Sequence, residues 1–469
     1  MRSIRLLVGI GLGLGVTVFT IALLFGFPSY TILKYGESGP KLLDPHEQSL
    51  AIETAAEGLS FPTSMEFIDN ENILVLEKDH GTVRLVSSSN GTLEKEPLLN
   101  LSVENEAERG LLGVAILQDS NMHNMGHSIN SNNDSTNTGS VNDDSISIVF
   151  LYYTEKPEYG NENENPQQIP RNKVLSYEWN KQAKSLVNSK LVLDLPAEPG
   201  PYHQGGKLKI GPDNALYAVV GDLNTIMGQL QNHRNGTGPN NSSVILRVNP
   251  YNGSPAEDNP FFDIDKMSRY FAYGIRNSFG IDFDPLTGNL WETENGEENY
   301  DELNMVKPGF NSGWAKIMGP ISRNDINAKE SLVKFPGSEY SDPVFSWNEQ
   351  IGVTDIEFFN SSKLGIEYAN DIFVGDINNG NLYYFKINGN RTGIDFVGNE
   401  NQNRYNDRDY ETQAGLQQDF VADNKEELTE VTFGTDFGRI TDIETGPDGF
   451  LYILSYENGK IYRIVNNQR

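Results

Sequence analysis

Residues 446–464, GPDGFLYILSYENGKIYRI, set the pattern by which the rest of the chain is read. A Gly-Pro-Asp-Gly turn opens onto the short apolar run Leu451–Leu454. A second turn, Glu457-Asn458-Gly459, opens onto Ile461–Ile464. Gly, Asp and Asn suit turns, and β-branched and aromatic residues suit half-buried strands, so the stretch reads as a strand pair. Looser copies start at Asp69, Ser145, Gly211, Asp284 and Ala369, and the successive starts, ending at Gly446, lie 76, 66, 73, 85 and 77 residues apart. No amphipathic helix of more than three turns interrupts them. Six loosely periodic β units predict an all-β, six-bladed β-propeller over residues 51–467, with its binding residues gathered on one loop face. A pair of β-sandwiches is the competing architecture.

Outside those units the composition changes. Residues 6–27, LLVGIGLGLGVTVFTIALLFGF, are uncharged and mostly apolar, long enough to cross a bilayer as one N-terminal transmembrane helix. A cleaved signal peptide competes, but the run is long and ends in a poor cleavage site, Gly26-Phe27-Pro28-Ser29-Tyr30. Arg2 and Arg5 ahead of it favour a cytoplasmic N-terminus and an exported, membrane-anchored remainder on the extracytoplasmic side. Nine Asn-x-Ser/Thr sequons fit that exterior. Residues 28–50, with three prolines, read as a linker; residues 118–144, rich in Asn, Ser and Asp, read as a disordered insertion, and 398–428 as a long polar loop.

The 469-residue chain carries 36 Lys and Arg against 65 Asp and Glu, a formal charge of −29, and no cysteine. That balance excludes nucleic acid as a partner, since phosphate binding needs a basic face. The missing thiols exclude disulfides, thiolate metal sites and cysteine nucleophiles.

Among six histidines, only His203 sits in a tight frame, Gly200-Pro201-Tyr202-His203-Gln204-Gly205-Gly206-Lys207, leading into a repeat strand. A histidine so placed can present its ring to a cavity as a general base; a core or surface histidine is the ordinary alternative. The chain from His203 to Asp222 makes one out-and-back excursion, which can return Asp222 to orient that ring; a plain turn aspartate is its alternative. Arg276-Asn277, between glycines, offers a fixed cation and an amide for an oxygen-bearing ligand. The loop Glu294–Glu302 holds five carboxylates and several free carbonyls, a donor set suited to Ca²⁺ or simply a solvated acidic loop.

Together these segments resemble the soluble quinoprotein glucose/sorbosone dehydrogenases. The resemblance covers roughly 55–467 and rests on Glu108-Arg109-Gly110-Leu111-Leu112-Gly113, on HQGGKLKIGPDNALYAVVGD at 203–222, on the motifs of 274–314 and on RITDIETGPDGFLYILSYENGKIYRI at 439–464. It implies a propeller that binds pyrroloquinoline quinone (PQQ) and Ca²⁺ at its loop face. The implied reaction oxidises an aldose at its anomeric hydroxyl to a lactone and passes electrons to an external acceptor. By the same resemblance His203 takes the hydroxyl proton, Asp222 orients it, and Arg276 and Asn277 contact the quinone oxygens. Glu108, Gln350, Asn378, Arg439 and Thr441 fall at further cofactor positions. The Gly296 and Glu297 carbonyls fall at the Ca²⁺ site, with Asp301 in support. A chain without cysteine or a dinucleotide fold needs a bound redox group of this kind. The chain departs from the family at Glu108 (often Gln), Asn378 (Lys), Thr441 (Arg) and Asn348-Glu349-Gln350, so a cradle for a tricarboxylate is expected to be short of cations unless Lys207 or others substitute. Two alternatives follow: a binding propeller that has lost the cofactor, and a Ca²⁺-dependent lactonase.

Overall fold

The computed structural model describes residues 39–43, 49–119, 146–157, 169–227, 231–236, 238–325, 327–396, 416 and 419–467. The apolar run 6–27, most of 28–50, nearly all of 118–144 and most of 398–428 lie outside them, as do His46, His123 and His127. Among the described residues no helix is long and apolar enough to cross a membrane.

The architecture is an all-β, propeller-like ring of six sheets. In chain order their first strands are Pro62–Phe67, Leu111–Asp119, Leu208–Ile210, Gly280–Phe283, Val353–Phe358 and Ile440–Thr445. Each runs antiparallel to the next strand of its own sheet, and each packs against the first strands of the neighbouring sheets. Every repeat read from the sequence falls in a different sheet. The Gly446 copy becomes Leu451–Ser455 and Lys460–Asn466, paired in register Leu451↔Ile464 and Ile453↔Tyr462.

Continuous burial along the inner strands, rather than alternation, explains why the sheets stack around a ring and not in two layers. Both faces of each sheet are apolar, and each meets a neighbour. One buried cluster joins sheets one and two through Leu74, Leu85, Val149 and Leu151. The next joins sheets two and three through Phe150, Val174, Leu216 and Leu246. The sequence continues around the ring until Met65, Val75, Tyr452 and Leu454 join sheet one to sheet six. Closure is also hydrogen-bonded: Leu50–Glu57 is the outer strand of the sixth sheet, pairing antiparallel with Lys460–Asn466. Lys41–Leu42, inside the stretch read as a linker, pairs with Thr432–Thr435 and covers the outer edge of the fifth sheet. Two sheets grow outward: Phe310–Asn311 and Glu339–Tyr340 extend the third in parallel register, and Val421–Ala422 extends the fourth.

Alternate residues of the first strands point to the ring axis, and there the pattern turns ionic. Lys207, just ahead of Leu208–Ile210, reaches across the ring to Asp355 of the fifth sheet and Asp442 of the sixth, at 2.7 Å each. One layer along, Lys209 lies 3.1 Å from Asp282, 3.8 Å from Glu357 and 4.0 Å from Glu444. The Met65 and Ile443 amides donate to Asp442 Oδ2 and Asp355 Oδ2. Burial works against the Lys207 ammonium, but Asp355 and Asp442 outweigh it and hold it above the ordinary lysine range. Burial and the neighbouring Asp282 push Glu357 up to about 8, with Lys209 opposing.

Two outcomes follow from the axis. Lys207→Met strands two carboxylates in the interior and lowers unfolding free energy by about 3–5 kcal/mol, read from urea midpoints. A carboxyl held at about 8 stabilises the fold fully below its unfolded value, and that contribution is lost as pH rises through about 8. Glu357→Gln therefore loses less stability than the parent chain between pH 5 and pH 8; equal slopes in paired denaturation curves at the two pH values contradict this.

Candidate functional site

In an antiparallel sheet, the segment that precedes the first strand and the turn between the second and third strands emerge at the same end. Across six sheets this puts Phe61, Glu108, His203, Arg276, Gln350 and Arg439, on the leading segments, at one mouth of the ring. Lys78, Asp222, Gly296, Asn378 and Tyr456, on the turns, join them there. The expected loop face is this mouth.

His203 and Asp222 meet as the out-and-back reading anticipates. Leu208–Ile210 pairs with Leu216–Val220, and His203 Nδ1 lies 2.6 Å from Asp222 Oδ1. The imidazole is partly open to the mouth, whereas the carboxylate is only 2% exposed. Asp222 Oδ1 also accepts the Asn224 amide at 2.8 Å, and Oδ2 accepts the Trp314 indole N–H at 2.8 Å. An ionised carboxylate facing Nδ1 makes that nitrogen the donor, leaving the Nε2 lone pair available. The backbone is bent to achieve this. His203 itself has φ +58°, Gly205 +65° and Gly206 +104°. A Cβ on Gly206 would sit 2.6 Å from Leu112 Cβ, so the second glycine serves both conformation and close packing.

Arg276 and Asn277 lie beside this pair. The Asp222 amide donates to the Arg276 carbonyl at 2.8 Å. The Arg276 amide donates to Glu294 Oε1 at 2.6 Å, and its Nη1 to the Asn295 carbonyl at 3.0 Å. Its guanidinium lies 5.3 Å over the Trp314 ring, and its Nε, buried, has no partner among the described residues. Asn277 is engaged at both ends: Oδ1 accepts the Gly205 amide at 3.1 Å, and Nδ2 donates to Glu108 Oε2 at 3.1 Å. The same Glu108 oxygen accepts the Gln204 amide at 3.2 Å, so Glu108 joins the His203 loop to the Arg276 turn. Burial raises the Glu108 carboxyl, with His203 opposing. Burial also pushes Glu294 up to about 7, against the Arg276 amide and the Ser312 hydroxyl.

The acidic loop divides in two. Glu294, Asp301 and Glu302 are buried, and Glu297 and Glu298 face solvent. Asp301 collects four backbone amides: Gly296 on Oδ1, and Ile351, Gly352 and Val353 on Oδ2, at 2.7–3.2 Å. Its oxygens are occupied, so it shapes the turn rather than offering a free ligand. Gln350 Nε2 donates to the Gly296 carbonyl at 2.6 Å, which brings that carbonyl to the mouth beside the exposed Glu297.

At the rim, Asn378 and Arg439 are exposed, and Arg439 makes no side-chain hydrogen bond among the described residues. The Thr441 hydroxyl donates to the Pro62 carbonyl at 2.9 Å. Lys207 is committed to the axis by Asp355 and Asp442, so it does not substitute for the missing cations. Lys78 is a further cation at the mouth, held by the Ala107 and Arg109 carbonyls and by Asp79. Sequence reasoning did not single out Lys78, Glu294 or Trp314. For Trp314 a signal existed, a lone tryptophan closing the Gly-Phe-Asn-Ser-Gly-Trp stretch, without any pattern tying it to Asp222 ninety-two residues earlier.

A family model described as glucose/sorbosone dehydrogenase matches residues 59–463. The aldose sugar dehydrogenase YliI of Escherichia coli is 25% identical over 275 residues, 56% of this chain and 60% of that one. The quinoprotein glucose dehydrogenase B of Acinetobacter calcoaceticus is 30% identical over 167 residues, 32% of this chain and 34% of that one. The fold is shared with the PQQ-bound aldose sugar dehydrogenase of Streptomyces coelicolor, at TM-score 0.57 and 20% identity, over 90% of this chain and 99% of the other.

Asp301→Ala frees four amides at once. Hydrogen exchange at Gly296 and Ile351–Val353 is expected to accelerate by about tenfold or more, with the exchange of the sixth sheet unchanged.

Proposed function

This chain belongs to the glucose/sorbosone dehydrogenase family, and from that membership and the mouth geometry we propose that it is an oxidoreductase converting an aldose or related sugar to its lactone, with PQQ and Ca²⁺ as cofactors. The observation that carries the reading is the aligned His203–Asp222 pair with the Arg276 guanidinium beside it. A fixed guanidinium pairs with carbonyl and carboxylate oxygens, and a planar quinone bearing carbonyls and three carboxylates supplies them. Arg439, at the rim, is a second cation for it.

The residues present fit both groups. Arg276 and Arg439 would hold the quinone, and the Gly296 and Glu297 carbonyls, ordered by Asp301 and Gln350, would hold the metal. When bound, PQQ supplies a two-electron acceptor for the C1 hydride, with Ca²⁺ polarising the accepting carbonyl. The protein does the rest. His203 Nε2 takes the proton of the anomeric hydroxyl as the C1–H bond breaks and the C1–O double bond forms. Asp222 stabilises the imidazolium that results. Asn277 and Glu108 set the His203 loop against the Arg276 turn. Each sheet is read as one blade of a six-bladed propeller. The run 6–27, flanked by Arg2 and Arg5, supports a membrane anchor with the mouth on the extracytoplasmic side, where an external acceptor would reoxidise the cofactor.

A second reading has an observation of its own. Asn378 and Thr441 leave the cradle two cations short, which suits a binding propeller that no longer takes the quinone. One set of measurements separates the two readings. Under the first, the full chain supplied with PQQ and Ca²⁺ reduces dye in an aldose-dependent way. His203→Ala then lowers kcat by about 10²–10⁴ while quinone affinity changes little. No turnover across an aldose panel at saturating cofactor, together with no calorimetric heat of quinone binding, would leave the second.

A further inference from the structure

We propose that Trp314 is a positioning residue for the proton-accepting pair, fixing the Asp222 carboxylate so that it receives His203 Nδ1–H. The inference rests on the reading of His203 as the base. Asp222 Oδ1 takes two donors, His203 Nδ1 and the Asn224 amide, whereas Oδ2 has Trp314 Nε1 as its partner, at 2.8 Å. Rotation about the Cβ–Cγ bond of an aspartate is soft and roughly two-fold. Two donors on one oxygen leave that rotation weakly restrained. A donor on the other oxygen, in a site 2% exposed, pins the plane of the carboxylate and with it the line to the imidazole.

The Trp314 backbone is itself held from several sides. The Trp314 amide donates to the Gly274 carbonyl at 3.1 Å, and its carbonyl accepts Asn232 Nδ2 at 2.8 Å. Asn311, on the strand that extends the third sheet, accepts the Gly313 amide at 3.0 Å. The outward growth of that sheet therefore delivers the indole beneath the mouth. Its ring also underlies the Arg276 guanidinium, so one side chain touches both the pair's carboxylate and the neighbouring cation. The other charged groups around the pair are Glu108, which faces His203, and Glu294 and Arg276, which face each other beside Asp222. None of them donates to Oδ2.

Trp314→Phe keeps an aromatic ring near Arg276 and removes the N–H together with the pyrrole half of the indole. In the full chain without added quinone, ¹⁵N-imidazole spectra of His203, assigned through His203→Gln, are expected to show the Nδ1–H tautomer dominant at neutral pH. In the variant the Nε2–H tautomer gains a visible share. With PQQ and Ca²⁺ supplied, kcat falls about tenfold and KM for the sugar stays within about twofold. An unchanged tautomer share together with unchanged kcat overturns the proposal. If the variant does not fold, Asp222→Ala, with Trp314 intact, reads the same contact from the other side. The Trp314 indole proton, shielded in the parent chain, then exchanges faster with solvent, and an unmoved exchange rate overturns the proposal. Should the parent chain oxidise no sugar, the reading of function fails, while the tautomer and exchange data still decide whether Trp314 holds Asp222.

Discussion

Two ammonium groups, one just ahead of a short strand and one on it, hold the middle of this ring. Lys207 and Lys209 rise from the third sheet and meet carboxylates of the fourth, fifth and sixth. Removing such charges from water costs several kcal/mol each, and an apolar axis would be at least as stable. What the ionic axis adds is register. An ammonium 2.7 Å from carboxylates on two other sheets fixes how far the third sheet's first strand is advanced relative to them. A slip of one residue would turn both lysines into the apolar interfaces between sheets. The acids outnumber the two lysines, and burial raises the carboxyls of Glu66, Asp355 and Glu444 as well as Glu357.

The mouth inherits that register. His203 lies four residues ahead of Lys207, and the intervening glycines turn the chain out of the strand and across it. His203 is thus tethered at one end by the axis and at the other by Glu108 and Asn277, which tie its loop to the second and fourth sheets. The same logic applies to the acidic loop. Asp301 binds amides of the fifth sheet's leading segment, so the Gly296 carbonyl is set by a contact between sheets rather than by its own turn. The His203 segment and the acidic segment are loops, but each is fixed to the scaffold by buried polar contacts from a neighbouring sheet.

This arrangement explains which features the sequence made legible. The six repeats were visible because turn residues and apolar runs are local, and each was found in its own sheet. His203 and Asp222 were readable as partners because a single strand pair joins them. The axis was not readable: Lys207 and Asp442 are 235 residues apart, and nothing in either local pattern distinguishes an inward lysine from a surface one. For that reason Lys207 looked available to a ligand when it is already spent. Trp314 escaped notice for the same cause, its partner lying across a boundary between sheets. The acidic loop read as uniform because composition does not separate Asp301, saturated by amides, from the exposed Glu297 and Glu298.

The overall charge of −29 argues at first sight against a site for a tricarboxylate, but net charge is a property of the whole surface, and potential at a site is set within about 8–10 Å at physiological salt. Within that range the buried acids of the mouth already have hydrogen-bond donors. Asp222 is matched by His203, Asn224 and Trp314, and Asp301 by four amides. Burial favours the neutral form of Glu108 and Glu294. Arg276 lies beside Asp222 as a fixed cation, and Arg439 stands at the rim on a different sheet. Among the exposed carboxylates of this face, Glu297 and Glu298 flank the carbonyls proposed for a divalent cation, where negative charge aids binding. The missing Lys and Arg at Asn378 and Thr441 therefore weaken the cradle without inverting its sign, and a polyanionic quinone with its metal remains electrostatically compatible with this mouth.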